Sequence, residues 1–135
     1  MLDKILCIDD DTITLMLCKM VITKNSFSKE IAKASNGEDA LNYFKILQKN
    51  IIKDTSTILP QLIFLDLNMP VMGGWEFINI FSTDEFSEFH TIKIIILSST
   101  IDPSDLEKSK KYPMVLDFLP KPISKEMLEY IKSKI

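Results

Sequence analysis

A chain of 135 residues with 46% hydrophobic and 26% charged side chains has the size and balance of one globular domain, expected to span residues 1–135. A net charge of −3 and a pI near 5.2 argue against general attraction to nucleic acid or anionic lipid, and apolar runs as short as Ile94 to Leu97 argue against membrane insertion. The opening Met1-Leu2-Asp3-Lys4 lacks a signal-peptide pattern, and Cys7 and Cys18 read as core thiols, so a reducing, cytoplasmic setting is expected.

Ile5-Leu6-Cys7-Ile8 is a continuous apolar run, the mark of a strand buried on both faces, and it ends in Asp9-Asp10-Asp11. From Thr12 the period becomes helical, with Ile13, Met16, Leu17, Met20 and Val21 as the expected inward stripe and Asp11 or Thr12 as the N-cap. A weaker strand, Glu30 to Ala34, is followed by the Asn36-Gly37 turn and a second helix with Ala40, Leu41, Phe44 and Leu47 inward. Lys49 to Pro60 reads as a helix extension plus an exposed loop.

Leu62-Ile63-Phe64-Leu65 is a third buried strand, running into Asp66 and then a turn containing Pro70, Gly73 and Gly74. A helix from about Gly74 places Trp75, Phe77, Ile78 and Phe81 on its apolar side, and Thr83 to Thr91 reads as an acidic loop. Ile92 to Leu97 is a fourth strand, ending in Ser98-Ser99-Thr100. Asp102-Pro103 starts a mostly polar helix through Lys111, with Leu106 its only apolar anchor. Met114 to Leu119 is a fifth strand leading to Pro120-Lys121-Pro122, and Ser124 caps a last helix with Met127, Leu128 and Ile131 inward.

Strands alternating with helices in this way predict an α/β fold, a parallel doubly wound sheet with helices on both faces. In such a sheet the carboxyl ends of the strands share one edge, where ligands bind. That edge gathers Asp9, Asp10, Asp66, Ser98 and Lys121. Carboxylates brought together raise one another's pKa unless a cation keeps them ionised, and oxygen-only ligands suit Mg²⁺ completed by water and phosphate oxygens. A carboxylate beside such an ion can attack phosphorus, with a lysine and a hydroxyl stabilising the transferring group. Lys121 and Ser98 have the required chemistry.

Four segments together resemble the signatures of the receiver domain of two-component response regulators. They are Ile8-Asp9-Asp10-Asp11, Leu65-Asp66-Leu67-Asn68-Met69-Pro70 through Gly73, Ile95-Ile96-Leu97-Ser98-Ser99, and Leu119-Pro120-Lys121-Pro122. The resemblance covers essentially the whole chain and is closest to single-domain, chemotaxis-regulator-like members. It implies a flavodoxin-like three-layer fold with strand order 2-1-3-4-5. It also implies Asp66 as phosphoacceptor, and Asp9, Asp10, Asp66 and the Asn68 backbone carbonyl as ligands of Mg²⁺, with Mn²⁺ as a substitute. By the same resemblance Ser98 is the switch hydroxyl, Lys121 its cationic partner, Phe118 the switch aromatic, and Lys121-Pro122 a cis bond. Asn68 and Thr100 lie at the two positions that bias acyl phosphate hydrolysis in the family. The implied partners are a sensor histidine kinase or histidine phosphotransfer protein and a downstream target protein. With no output domain expected after Ile135, the signal is expected to leave by protein contact; its surface would be the Pro103–Lys111 helix, the fifth strand and the last helix. Kinase docking is expected around Asp11 to Leu17 and at the Lys121-Pro122 loop.

Plainer and rival readings stand beside these. Asp11 suits a helix cap, Phe118 suits ordinary core, His90 reads as solvated, and Trp75 and the methionines read as core and rim packing. Asp9-Asp10-Asp11-Thr12 also resembles the motif of haloacid-dehalogenase-type phosphatases, with Asp9 as nucleophile and Asp11 as general acid. That reading lacks a late acidic pair after Lys121 and leaves Asp66 and its turn unexplained. A flavin-binding flavodoxin lacks support because no Ser/Thr/Gly phosphate loop follows the first strand.

Overall fold

The apolar runs pair as one parallel sheet in the computed structural model, which describes residues 1–135. The elements in chain order are β1 (Leu2–Ile8), α1 (Thr12–Lys24), β2 (Ser28–Ala34), α2 (Gly37–Lys53), β3 (Leu62–Leu65) and α3 (Gly74–Phe81). A 3₁₀ segment (Asp84–Phe89), β4 (Lys93–Ser98), α4 (Pro103–Ser109), β5 (Val115–Pro120) and α5 (Lys125–Lys134) follow. The strand order is β2-β1-β3-β4-β5, the flavodoxin-like arrangement. Most boundaries differ from the expected ones by a residue or two, as element ends commonly do, and β1 begins three residues before Ile5.

Alternation within the central strands divides the core in two. Leu6, Ile8, Ile63, Leu65, Ile94 and Ile96 face α2 and α3, whereas Ile5, Cys7, Leu62, Phe64, Ile95 and Leu97 face α1 and α5. On the first side Phe44, Phe77, Phe81, Phe86 and Phe89 form an aromatic block, with Phe44 and Phe81 centroids 4.5 Å apart. Each ring contributes roughly 1.5–3 kcal/mol of burial, so this side anchors the domain.

Three expectations are corrected. The inward face of α1 carries Cys18 and Ile22, with Leu15 and Val21 packed at its edges, while Ile13, Met16, Leu17 and Met20 lie exposed. The helix is apolar nearly all round, so two stripes satisfy the same period, and the stripe bearing the small Cys18 is the one that packs beside Cys7. Thr83 to Thr91 is not merely a loop. It folds as two short 3₁₀ turns meeting at a kink at Phe86, and Phe86 and Phe89 are both fully buried while Asp84, Glu85 and Glu88 face out. His90 is half-buried rather than solvated, its ring Nε2 lying 2.9 Å from the Phe81 carbonyl at the end of α3.

The remaining helices follow the sequence reading. Asn36 caps α2 through Asp39 N–H, Asp102 caps α4 with Pro103 at its first position, and Ser124 caps α5. Leu106 is half-buried against the core and anchors α4, whose Ser109 is also buried. No helix is long and apolar enough to cross a membrane.

Candidate functional site at the carboxyl edge of the sheet

Register brings the acids together. Ile8 pairs with Leu65, and the ladder continues one step through Asp66 N–H to the Ile8 carbonyl (3.0 Å) and Asp9 N–H to the Ala34 carbonyl (3.1 Å). Asp9 and Asp66 therefore leave adjacent strands at the same level, both buried, with Asp10 beside them and exposed. One carboxylate oxygen from each of Asp9, Asp10 and Asp66 lies within 4.8 Å of the others.

From the far side β5 delivers Lys121, whose backbone N–H donates to the Ser98 carbonyl at 2.9 Å. Its Nζ donates to Asp9 Oδ2 at 2.7 Å and stands 3.4 Å from Asp66 Oδ1. The Lys121-Pro122 bond is cis, as the resemblance implied. Burial alone would lower the Lys121 pKa, but hydrogen bonding to Asp9 and the charges of Asp66 and Asp9 outweigh it and hold the ammonium above its ordinary value. Burial, reinforced by the nearby Asp9 charge, raises Asp66 above the usual carboxylate range. Three carboxylates face one ammonium here, leaving two negative charges uncompensated (3 − 1 = 2). A hard, all-oxygen donor set with that residual charge fits a divalent cation such as Mg²⁺.

The two best-placed acids are not equivalent. Asp9 is occupied at both oxygens, Oδ1 accepting from Asp11 N–H at 2.9 Å and Oδ2 from Lys121. Asp66 has the longer Lys121 contact at Oδ1 and a hydrogen bond from Leu67 N–H, so Lys121 holds it less tightly than Asp9 and it is the freer nucleophile. Asp11 is turned away to cap α1, accepting from Ile13 N–H and the Thr14 hydroxyl, and stands outside the cluster of acids. These hydrogen bonds, the one from Ile13 N–H foremost, hold its carboxyl below the ordinary range.

Ser98 is buried at the end of β4, but its hydroxyl donates to the Thr100 carbonyl at 2.6 Å and not into the acid cluster. Phe118 is buried opposite Ile96. Asn68 lies exposed in the loop after Asp66, and its carbonyl accepts no backbone hydrogen bond.

The loop from Asp66 into α3 is tightly seated. Gly74 donates to the Leu67 carbonyl at 3.0 Å, and a Cβ there would stand 2.6 Å from the Asp66 carbonyl oxygen. Val71 holds a positive φ of 69°, closed by a bond from Met72 N–H to the Pro70 carbonyl at 2.9 Å. A β-branched residue in that region is strained, and no pattern in the sequence announces it. Trp75 packs at the rim of the core as expected, and its indole Nε1 also donates to Asp105 Oδ1 of α4 at 3.0 Å. Only an aromatic with a donor at the exposed start of a helix hinted at this.

Comparison with known proteins follows the same line. Residues 5–132 match the response regulator receiver domain family. The chain is 32% identical over 133 residues to the hybrid signal transduction histidine kinase I of Dictyostelium discoideum, covering 98% of this chain and 7% of that protein. It is 30% identical over 125 residues to a protein-glutamate methylesterase/protein-glutamine glutaminase of Clostridium acetobutylicum, covering 88% of this chain and 30% of that one. The chain thus spans less than a third of the length of either curated relative. The crystal structure of a two component response regulator from Cytophaga hutchinsonii superposes with a TM-score of 0.86 at 28% identity, covering 98% of this chain and 96% of that one.

Proposed function

The chain belongs to the response regulator receiver domain family of two-component signalling, and on that premise we propose that it takes a phosphoryl group onto Asp66 and signals by protein contact. The observation that carries this reading is the inequality of the two buried acids: Asp9 is committed to Asp11 N–H and Lys121, whereas Asp66 remains available at the open edge.

Asp9, Asp10, Asp66 and the Asn68 carbonyl would hold Mg²⁺, or Mn²⁺ in its place. When bound, the ion neutralises charge on the transferring group. The steps themselves belong to the chain's own residues. An Asp66 carboxylate oxygen attacks phosphorus as the bond from phosphorus to the donor's histidine ring nitrogen breaks, and that bond's electron pair leaves with the ring. The product is an acyl phosphate on Asp66. Lys121, kept protonated by its acidic neighbours, supplies positive charge to the phosphoryl oxygens. Ser98 breaks its bond to Thr100 and turns its hydroxyl toward the phosphoryl group; lacking a methyl on Cβ, it has less restricted χ1 than threonine. Phe118 shifts with that change between two packed arrangements.

The donor is a sensor histidine kinase or a histidine phosphotransfer protein, consistent with the exposed apolar face of α1, Ile13, Met16, Leu17 and Met20, beside the site. The domain passes its state, in the cytoplasm, to a target protein. The phosphatase reading is not favoured, because Asp11, its general acid, serves as the α1 cap.

Incubation with phosphoramidate and Mg²⁺ followed by intact mass tests the proposal. One added phosphoryl group, lost in hydroxylamine and absent from Asp66→Asn, is expected. Uptake by Asp66→Asn with none by Asp9→Asn would return the phosphatase reading.

A further inference from the structure

Trp75, the only tryptophan of the chain, ties together two elements that leave the site separately. It is the second residue of α3, directly after the glycine packed on the Asp66 carbonyl, while α4 begins four residues beyond Ser98, at the Asp102 cap. The indole donates to Asp105 of α4, Lys108 Nζ lies 4.7 Å above its ring, and Tyr112 stacks on it with centroids 5.8 Å apart. One turn further along α3, Asn79 accepts from the Tyr112 hydroxyl. The α3 residues Trp75 and Asn79, at i and i+4, thus grip α4 and the turn after it.

This grip matters because α4 has little else to hold it. Leu106 is its one apolar anchor, and the Ser109 hydroxyl is spent on the Leu106 carbonyl of its own helix. On the other side of the same helix, the Ser99–Ile101 segment is exposed, and the Ser98 hydroxyl is bonded into it at Thr100. For Ser98 to turn toward a group on Asp66, its hydrogen bond to that segment must break, and the segment leads directly into the helix that Trp75 holds.

We propose that the Trp75–Asp105 clasp is a positioning device that holds α4 in the arrangement where Ser98 faces Thr100, and so opposes retention of a phosphoryl group on Asp66. The proposal rests on the reading of Asp66 as phosphoacceptor and Ser98 as its hydroxyl. Trp75→Phe keeps a ring and removes the donor. Asp105→Ala removes the acceptor, and Asp105→Asn keeps an acceptor oxygen as the conservative control.

The test measures the half-life of the phosphoryl group after loading from acetyl phosphate, the Mg²⁺ affinity of each variant, and Trp75 emission. Trp75→Phe and Asp105→Ala should each prolong the half-life by about fivefold, the effect of one ordinary hydrogen bond on a two-state balance. The double variant should do no more than either, Asp105→Asn should stay near wild type, and Mg²⁺ affinity should not move. Wild-type emission should change on phosphorylation, and Asp105→Ala should already show the shifted emission. Wild-type half-lives in both variants, or unchanged wild-type emission on phosphorylation, would overturn the clasp alone. Failure of the wild-type protein to take up phosphate would overturn the reading of Asp66 and the clasp with it.

Discussion

Gly74→Ala places one methyl group where the phosphoacceptor strand turns into α3, and the structure allows its cost to be worked out. The new Cβ would stand 2.6 Å from the Asp66 carbonyl oxygen, 2.9 Å from Leu67 Cα and 2.9 Å from Leu67 Cδ2. Ordinary contacts begin at 3.4 Å, so the overlap with the Asp66 oxygen is 3.4 − 2.6 = 0.8 Å. Two of the three atoms are backbone and cannot rotate away, so either the start of α3 or the Asp66 loop must move. Overpacking of this kind costs roughly 1–3 kcal/mol, and backbone partners place it near about 3 kcal/mol. For a domain of this size that corresponds to a fall in Tm of roughly 10 °C. Gly37→Ala is the internal control. Its nearest neighbour is the Met72 side chain, Cγ at 2.7 Å and Sδ at 3.0 Å, which can swing aside, although the Met72 carbonyl at 3.0 Å must also give slightly. Its cost should stay within about 1 kcal/mol, partly offset by alanine's better helix propensity. Thermal melts of both variants, with phosphorylation from acetyl phosphate measured beside them, are the assay. Gly74→Ala should lose both stability and phosphorylation rate. If it melts within about 2 °C of wild type and phosphorylates normally, the claim that the turn is seated by backbone contact is wrong.

Other perturbations probe other parts of the account. Val71→Asn should relieve the left-handed backbone strain and raise stability by about 1 kcal/mol, read as a higher Tm, because asparagine tolerates a φ of 69° better than valine. Asp66→Asn should stabilise the metal-free protein at neutral pH. The folded-state pKa of Asp66 is raised, so its favourable protonated form is fully present below the ordinary carboxylate pKa and is lost as pH rises through the folded value. The advantage of Asn over Asp in urea titrations should therefore grow from acid to neutral pH, and added Mg²⁺ should stabilise wild type more than the variant. In α1, Met16→Ala should change stability by less than about 0.5 kcal/mol while slowing transfer from a cognate histidine donor and sparing acetyl phosphate, whereas Ile22→Ala should cost roughly 2–5 kcal/mol.

The centre of the sheet is legible because β1, β3 and β4 are buried along most of their length and so are written as apolar runs between turn residues, whereas the edge strand β2 alternates with polar residues and leaves a weaker trace. The site was legible for the same reason: parallel pairing fixes which residues follow Ile8, Leu65 and Leu97, and those residues are acids and a serine. The inward face of α1 is not legible, because Ile13 and Met16 are as apolar as Leu15 and Ile22 and hydropathy cannot distinguish a stripe that packs from one that stays exposed. Phe86 and Phe89 were hidden among acids because a 3₁₀ turn has a period of three, too short a stretch to register as a pattern. Val71's strain and the Trp75 clasp depend on tertiary placement alone. The orientation of Ser98 toward Thr100 likewise belongs to a rotamer, which no sequence records.

Reduction of the phosphorylated protein with borohydride tests the central claim most directly, because it converts an aspartyl phosphate into homoserine at the residue that carried it. After loading with phosphoramidate and Mg²⁺, peptide mass spectrometry should find homoserine at position 66 and at no other aspartate. Homoserine at position 9, or a phosphorylated protein that leaves Asp66 unreduced, would contradict the assignment.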